Sequence, residues 1–410
     1  MSFLNIFLQI VNYFLVAFAI LLLKLFGYIS FTHIIIIYIS YCIYVQYSSK
    51  TYLYYTKNVK NEQILSMCPE LSNPDYKPHF LLPFAFQQMI LSLNALLISD
   101  KPKLNFREQK VNQYGLTLYW PSFNDFEEIT DPNIPILFFL PGMTGEISDP
   151  YVINICIEGL KNGYHVCVYQ MRILNENFGV DESGRMNFCE DIDTCLDVIK
   201  KQYYNAKIYG ISGSFGANNL LYFLGEKNNK LPKNNKKIEA AVSFSNPYNM
   251  EMCSRLCEGT IISTLVTYLE QKNTKKIKDS IERNPNLSYL NLQELIECEN
   301  PILFDELFNG KLHGCNSATE YYRKISAIRN LTEIDVPVLC INSIDDPITP
   351  YQAIAYDDIK LNPNIFLIVT DRGAHMAFIS NEKLTEFRQW NLKPAFEFLN
   401  CQKSLDCKIE

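Results

Sequence analysis

The chain has 410 residues, 48% of them hydrophobic and 20% charged, which is enough for one large domain with an apolar addition. Its net charge of −7 and its lack of a lysine and arginine stripe argue against a nucleic-acid-binding surface. The thirteen cysteines form no paired framework, which favours a reduced compartment, and Cys253-x3-Cys257 lacks a further His or Cys at the spacing of a zinc site.

The first fifty residues hold the apolar excess. Residues 3–23 contain no charge and match the ~20 residues that a membrane-spanning helix needs. A second apolar run covers 25–47, so residues 1–50 predict a transmembrane segment of one or two spans. Lysines follow this segment and none precedes it, which predicts an integral membrane protein with its main domain facing the cytoplasm. The expected partner is the lipid bilayer.

The rest of the chain alternates between strand and helix patterns. Residues 51–103 are predicted to form a connecting segment that ends with a helix over 84–97. The alternation over 104–400 predicts a mostly parallel sheet flanked by helices. Within it, 248–333 is helical and free of strand patterns, which predicts an inserted cap, and 401–410 is a tail. The predicted strands are 116–120, 134–140, 165–169, 208–211, 238–245, 336–342 and 365–369.

A glycine-rich turn follows the early apolar strand. It reads Pro141-Gly142-Met143-Thr144-Gly145. A turn at this place can aim a backbone N–H at a developing oxyanion, and Met143 would supply that N–H. An ordinary Pro-Gly turn without chemistry is the alternative.

A second turn joins the predicted strand 208–211 to a helix and carries Ser214. Small residues, Ser212 and Gly216, stand two positions before and after it. This is the pattern of a nucleophile elbow, in which strand and helix nearly touch. The N–H of Phe215 would then be the second oxyanion donor. Two alternatives remain, a register with Ser212 as nucleophile and a Gly/Ser loop without chemistry.

Two late strands end in residues that could complete a catalytic set with Ser214. Asp345-Asp346-Pro347 follows the strand 336–342, where a carboxylate could orient a histidine. We favour Asp346, with Asp345 as the alternative. Of the five histidines, only His375 follows a late strand on a glycine-containing loop, and that loop can reach the serine.

With its serine, aspartate and histidine in this order, the sequence resembles the membrane-anchored α/β-hydrolase-domain lipases and esterases. Relatives of that family include bacterial and plant hydrolases and fungal medium-chain ethyl-ester synthases. The resemblance covers about residues 65–400 and implies an α/β-hydrolase fold and a Ser214–Asp346–His375 triad. It departs from the family pattern at Ser212 and Ile173, where the family usually has glycine. The matching residues are Cys68-Pro-x-Leu71, Pro141-Gly-Met-Thr-Gly145, Pro150-Tyr151, Arg172, Glu190-Asp191, Ser214-Phe-Gly216-Ala-Asn218, Phe304-Asp-Glu306, Tyr321-Tyr-Arg323, Ser326, Val336-Pro-Val-Leu339, Asn342-Ser-x-Asp-Asp-Pro347 and Gly373-x-His375.

The motifs and the resemblance together predict a serine hydrolase that cleaves carboxylic acyl esters through an acyl-enzyme. The membrane segment, the apolar cap and the resemblance favour a lipid-like substrate, such as a phospholipid or an acylglycerol. No metal or organic cofactor is expected. An acyltransferase that resolves the same acyl-enzyme with an alcohol is an alternative, and an inactive interaction protein of the same fold is a third. The sequence predicts no oligomeric state.

Overall fold

The computed structural model describes residues 27, 30–92, 101–123, 131, 133–380 and 388–406. Within these ranges the α-helices are α1 (Phe31–Ser48), α2 (Val59–Met67), α3 (Pro69–Ser72), α4 (Ala85–Ser92), α5 (Pro150–Lys161), α6 (Phe188–Gln202), α7 (Ser214–Glu226), α8 (Met250–Cys257), α9 (Ile261–Lys276), α10 (Lys278–Arg283), α11 (Leu292–Glu297), α12 (Pro301–Asp305), α13 (Ala318–Ile325), α14 (Tyr356–Leu361) and α15 (Leu392–Asp406). The strands are β1 (Thr51–Tyr54), β2 (Asn105–Lys110), β3 (Thr117–Ser122), β4 (Ile136–Leu140), β5 (His165–Gln170), β6 (Ile208–Gly213), β7 (Ala240–Phe244), β8 (Val338–Ser343), β9 (Ile365–Thr370), β10 (Ile379–Ser380) and β11 (Arg388–Gln389).

Nine of these strands form one sheet in the order β1-β9-β8-β7-β6-β4-β5-β3-β2. The six strands from β4 to β9 pair in parallel. Antiparallel pairing is confined to β1 at one edge of the sheet and to β3 and β2 at the other. This arrangement confirms the mostly parallel sheet, flanked by helices, that the sequence predicts for an α/β-hydrolase fold.

Helices cover both faces of the sheet, because alternate side chains of each strand point to opposite sides. In β4, Phe138 packs with the layer that contains α6, α7, α14 and the cap helices. Its neighbour Phe139 packs with the layer that contains α2, α3, α5 and α15. All five residues of β4 are buried, which explains why this strand is apolar throughout instead of alternating with polar residues.

The sheet begins earlier than the predicted boundary at residue 104. Thr51 pairs with Thr370, and Tyr54 pairs with Leu367, so β1 extends the edge of the sheet beside β9. The segment 51–103 is therefore more than a connector, since it contributes a strand. Because the pairing is antiparallel, the end of α1 lies at the carboxyl end of β9.

The predicted membrane segment lies partly outside the described residues. This applies to all of 3–23 and to part of 25–47, of which the structure describes Gly27 and, as α1, the residues from Phe31 onward. In the described ranges no helix is long and apolar enough to cross a bilayer. The predicted helix 84–97 is α4 as far as Ser92, and residues 93–100 are outside the description. Beyond residue 400, α15 continues through Asp406.

The region predicted to be a cap consists of the six helices α8 to α13. All residues from 245 to 337 are described, and none of them lies in a strand. A polar N-cap side chain accepts a hydrogen bond from the first turn of most of these helices, which compensates backbone donors that lack partners within the helix. These N-cap residues are Asn249, Thr260, Asn291, Asn300 and Ser317.

Candidate active site

Ser214 lies where β6 passes directly into α7. Gly213 is the last residue of the strand and Ser214 is the first residue of the helix, so the change of direction occurs at a single position. The φ angle of Ser214 is +54°, in the left-handed region that non-glycine residues rarely adopt. Such a conformation costs roughly 1–3 kcal/mol and persists only where the surrounding structure enforces it. The backbone therefore has the strained strand-to-helix geometry of a nucleophile elbow.

The small residues around Ser214 are required by close contacts. A Cβ atom on Gly216 would lie 2.2 Å from the carbonyl oxygen of Pro141 and 2.4 Å from that of Leu140. A Cβ atom on Gly213 would lie 2.2 Å from the Cε atom of Met376, the movable end of a flexible side chain, so this contact is a weaker restriction than the backbone contacts at Gly216. Ser212 is fully buried, and its hydroxyl donates to the carbonyl oxygen of Val242 at 3.1 Å. The side chain of Ser212, the alternative nucleophile, is thus directed into the sheet.

A direct test of this packing is Gly216→Ala. The added methyl group would collide with backbone atoms at the end of β4, so the turn at Pro141 must move. Because a displacement of about 1 Å near reacting groups can reduce the rate on the order of a hundredfold, we expect a loss of that size in kcat for a soluble ester. Ala217→Gly in the same helix is the control, since it lowers helix stability by about 1 kcal/mol without adding an atom. Equal activity of the two variants would contradict this account.

His375 connects Ser214 to Asp346. The Nε2 atom of His375 lies 2.8 Å from the Oγ atom of Ser214. Its Nδ1 atom lies 2.9 Å from Oδ2 and 3.2 Å from Oδ1 of Asp346. The carboxylate of Asp346 is fully buried, and the imidazole ring is 10% exposed. The structure thus brings together the three residues that the sequence favoured.

The carboxylate of Asp346 is fixed by its own loop. Its Oδ1 atom accepts hydrogen bonds from the backbone N–H groups of Ile348 and Thr349, each at 2.8 Å. Its Oδ2 atom accepts one from the hydroxyl of Thr349 at 2.5 Å. These donors fix the orientation in which Oδ2 faces the histidine. The proline after Asp346 is compatible with this turn, because the N–H groups used come from the next two residues.

Asp345 has a different role from Asp346. Its Oδ1 atom accepts a hydrogen bond from the N–H of Ala374 at 2.9 Å, in the loop that carries His375. Ser343 donates its hydroxyl to the carbonyl oxygen of the same alanine at 2.7 Å. Burial raises the pKa of Asp345 to about 6. Asp345 therefore holds the backbone of the histidine loop and does not contact the imidazole.

The histidine loop contains several strained residues. Ala374, Met376 and Phe378 have φ angles of +54°, +61° and +45°. The N–H of Met376 donates to the hydroxyl of Ser245 at 3.0 Å, and the carbonyl of Met376 accepts from Gln389 at 2.9 Å. These bonds, with those at Ala374, hold the loop in an unfavourable conformation that directs the imidazole at Ser214.

The turn after β4 lies beside Ser214, as expected for an oxyanion-binding turn. A Cβ atom on Gly142 would lie 3.3 Å from the Cβ and 3.7 Å from the Oγ atom of Ser214. The N–H of Met143 has no hydrogen-bond acceptor among the described residues. The N–H of Phe215 is in the first turn of α7, where the helix itself offers no acceptor. Both N–H groups that the sequence suggested are thus backbone donors near the serine.

Tyr151 positions this turn, a role that the sequence did not predict. Its hydroxyl accepts a hydrogen bond from the N–H of Gly142 at 3.2 Å and lies where a Cβ atom on Gly145 would fall. Burial raises the pKa of the Tyr151 phenol, so the side chain stays neutral. Tyr151 matches the family pattern, but no spacing rule connects it to the turn.

Other residues of the family pattern fix the surroundings of the site. Asn218 of α7 donates to the carbonyl of Ile325 and accepts from the N–H of Ala327, each at 2.8 Å, which ties this helix to the end of the cap. Arg172 and Asp191 form a buried ion pair, with Nε 2.8 Å from Oδ2. This ion pair joins the end of β5 to the first turn of α6.

A buried polar cluster lies within the cap. Asp305 accepts hydrogen bonds from the hydroxyl of Tyr322 at 2.5 Å and from the amide of Asn309 at 2.6 Å. Both Asp305 and Tyr322 belong to the stretches that match the family. The cluster fixes α12 and α13 relative to each other and makes no bond to the triad.

Two other buried histidines make no contact with the triad. His165 and His313 are buried, and burial lowers the pKa of each to about 4, so both imidazoles are neutral near pH 7. Across the described ranges no group of three or more His, Cys, Asp or Glu side chains could hold a metal ion.

The arrangement can support nucleophilic acyl transfer. A neutral His375 that donates from Nδ1 to Asp346 has a free lone pair on Nε2, and this atom can take the proton of Ser214. Two backbone N–H groups are available for the negative oxygen that forms when the serine attacks a carbonyl carbon.

Comparisons with known proteins give relatives among lipases and esterases, although no protein-family model matches the chain. The chain is 26% identical to phospholipase ABHD3 of Bos taurus over 289 residues, which cover 69% of this chain and 68% of that protein. It is 26% identical to a monoacylglycerol lipase of Saccharomyces cerevisiae, over 66% of this chain and 60% of that one. It is 25% identical to medium-chain fatty acid ethyl ester synthase/esterase 2 of the same yeast, over 73% of this chain and 70% of that protein. With the sheet and the strand-to-helix turn, these relatives show that the chain belongs to the lipase and esterase family of α/β-hydrolases and is a carboxylic ester hydrolase.

Proposed function

We propose that this protein is a serine hydrolase that cleaves lipid-like acyl esters through an acyl-enzyme. The observation that carries the proposal is the continuous hydrogen-bond chain from Ser214 through His375 to Asp346, with distances of 2.8 and 2.9 Å. The left-handed backbone at Ser214 supports it, because that conformation exposes the hydroxyl at the start of a helix.

In the first half-reaction, the Oγ atom of Ser214 attacks the ester carbonyl while its proton passes to Nε2 of His375. Asp346 holds the proton on Nδ1 and stabilises the imidazolium. The N–H groups of Met143 and Phe215 bind the oxyanion. When the tetrahedral intermediate collapses, the C–O bond to the alcohol breaks, and His375 returns the proton to the leaving alcohol.

In the second half-reaction, water attacks the acyl-enzyme, and His375 takes one of its protons. Collapse releases the carboxylic acid and restores the Ser214 hydroxyl. No metal or organic cofactor takes part in either half.

The proposed substrate is a phospholipid or an acylglycerol at a bilayer. Two relatives carry the names phospholipase and monoacylglycerol lipase, which supports a glycerolipid ester. The uncharged run at 3–23 supports anchoring of the N-terminal residues 1–50 in a membrane. The lysines after this segment support a catalytic domain that faces the cytoplasm.

Labelling with a fluorophosphonate tests the nucleophile. The probe phosphonylates activated serines, so we expect one adduct on the peptide that contains Ser214, identified by mass spectrometry. Labelling should stop after denaturation, because the serine is activated only by the folded triad. An adduct at another serine would assign the nucleophile elsewhere, and a folded protein without any adduct would favour an inactive interaction protein.

Acyl transfer to an alcohol is the second candidate, because one relative is named an ethyl ester synthase as well as an esterase. The same acyl-enzyme would be resolved by an alcohol in place of water. Incubation with a medium-chain acyl donor in water containing ethanol, followed by the ratio of ethyl ester to free acid, separates the two activities. We expect free acid to dominate. A predominance of the ester at a low ethanol concentration would make the protein an acyltransferase.

A further inference from the structure

Helix α1 exposes an apolar side that the domain does not cover. One stripe of the helix is packed, since Cys42 and Val45 are each 1% exposed. The other side carries isoleucines such as Ile36, which is 55% exposed, and Ile43, which is 44% exposed. A water-facing helix would place polar residues at these positions. Apart from Thr32, His33 and Ser40, every exposed position of α1 from residue 32 to residue 47 is instead an isoleucine or a tyrosine.

Helix α4 extends this surface. Phe86 is 62% exposed and Ile90 is 50% exposed, one turn apart on the same side of the helix. Helix α1 contacts both α4 and the residues just before it. The amide of Gln87 in α4 donates to the hydroxyl of Tyr38 at 3.4 Å, and the ring of Tyr41 stacks on that of Phe84 with centroids 5.2 Å apart. We call the exposed apolar side chains of these helices the α1–α4 face.

The α1–α4 face lies beside the histidine loop. The covered side of α4 packs Met89 and Leu91 against Ala374 and Ala377, which flank His375 and Met376. Gln88 accepts a hydrogen bond from the N–H of Ile379 at 3.1 Å. Just after α1, the N–H of Lys50 donates to the Oδ2 atom of Asp371, and the N–H of Asp371 donates to the carbonyl of Lys50, each at 2.9 Å. Both helices are therefore fixed to the loop that carries the imidazole.

The geometry points to the α1–α4 face as a surface that docks into one leaflet of a lipid bilayer and holds the histidine loop at the membrane surface. This inference rests on the proposed function, because it assigns the side from which an ester substrate would meet the site. It goes beyond an N-terminal anchor, because α4 adds contacts that are distant from residues 1–50 in the sequence.

The polarity gradient along α1 favours lipid over a second protein chain. After Thr32 and His33 in its first turn, the exposed side carries isoleucines, continues with Tyr44 and Tyr47, and is followed by Lys50. This order matches the layers of a lipid leaflet. Apolar side chains prefer the hydrocarbon, tyrosines prefer the membrane–water interface, and cations prefer the phosphate groups. In the sequence, the uncharged run at 3–23 precedes the isoleucines of α1. A cluster of exposed isoleucine, tyrosine and phenylalanine side chains is typical of a membrane or protein contact, and the order of side chains along α1 favours the membrane.

Fluorescence quenching tests the docking independently of catalysis. The full chain carrying Phe86→Trp is incorporated into phosphatidylcholine vesicles with and without bromine on the lipid acyl chains. We expect bromine to quench the added tryptophan several-fold more than in Leu361→Trp. Leu361 is 74% exposed and lies just before β9, at the opposite end of the strand from the histidine loop. The native Trp120 and Trp390 are 1% and 4% exposed, so the parent protein gives the background.

Charge substitution supplies the second readout. Phe86→Glu and Ile90→Glu should each lower the ratio of the rate on vesicle lipid to the rate on a soluble short-chain ester by about tenfold, since burying a glutamate in the leaflet is unfavourable. Leu361→Glu should leave this ratio unchanged. If Phe86→Trp is quenched no more than Leu361→Trp, or if the glutamate variants keep the parental ratio, the docking surface is refuted. If a second copy of the chain covers the α1–α4 face instead, Phe86→Trp will be quenched no more than Leu361→Trp and the protein will be a dimer. A quenched protein without activity on either ester refutes the proposed function and leaves the docking intact.

Discussion

Replacing Ser214 with alanine is expected to abolish fluorophosphonate labelling and to reduce kcat for a soluble ester by ~10⁴-fold or more, as for other enzymes that lose their nucleophile. The reason is that His375 Nε2 then has no proton to accept and no oxygen remains to form the acyl-enzyme. Circular dichroism and the melting temperature check folding. The φ angle of +54° is unfavourable for alanine as well as for serine, so we expect no large change in stability.

Ser212→Ala is the matched control for this prediction. Its hydroxyl donates to the carbonyl of Val242 inside the sheet, so the loss is one buried hydrogen bond worth about 0.5–1.5 kcal/mol. Labelling and kcat should stay within a few-fold of the parent. Loss of labelling in Ser212→Ala, with labelling retained in Ser214→Ala, would mean that the rival register is the reactive one.

The central strands were predictable because burial on both faces gives them an unmistakable pattern. β4 and β9 are uninterrupted apolar runs, and the expected positions agree with the structure to within a few residues. The serine turn was predictable for a related reason, since only small residues fit where Gly216 meets the backbone of Pro141. In both cases a steric or solvation requirement acts on residues that are neighbours in the sequence.

The edge strands could not be predicted in the same way. β2 reads Asn-Phe-Arg-Glu-Gln-Lys, and β1 has only four residues. An edge strand has one paired side, so its side chains can be polar, and its hydrogen bonds are made to a strand that is distant in sequence. Thr51 pairs with Thr370, more than three hundred positions away, and nothing local to Thr51 indicates that partner.

The details of the histidine loop were also beyond the sequence. Ala374 and Met376 are not residues that favour positive φ, and they adopt it because Asp345, Ser343 and Ser245 bind their backbone. The choice between the two adjacent aspartates depends on the same contacts. Composition and spacing predicted a carboxylate near the histidine. The different roles of Asp345 and Asp346 depend on which carboxylate faces the imidazole ring and which faces the loop backbone.

Asp346→Asn is expected to lower kcat by about 10⁴-fold while leaving the fold intact. The two N–H groups of Ile348 and Thr349 require an oxygen at the Oδ1 position, so the new amide NH2 group must take the place of Oδ2. It would then present a donor to Nδ1 of His375, which lies 2.9 Å from Oδ2 in the parent. The imidazole would be driven to the tautomer with its proton on Nε2, and that tautomer cannot accept the proton of Ser214.

The control for this last prediction is Asp345→Asn. Oδ1 of Asp345 accepts from the N–H of Ala374, while Oδ2 has no hydrogen-bond partner among the described residues and lies 3.9 Å from Nη1 of Arg372. An amide can therefore keep the one hydrogen bond and loses only this long ion pair. We therefore expect kcat within about tenfold of the parent, whereas Asp345→Ala should lose more because it releases the loop. The three variants are compared on a soluble ester, with melting temperatures measured on the same preparations. Equal losses in Asp345→Asn and Asp346→Asn would show that the tautomer is not what Asp346 controls, and that both carboxylates act only by holding the loop.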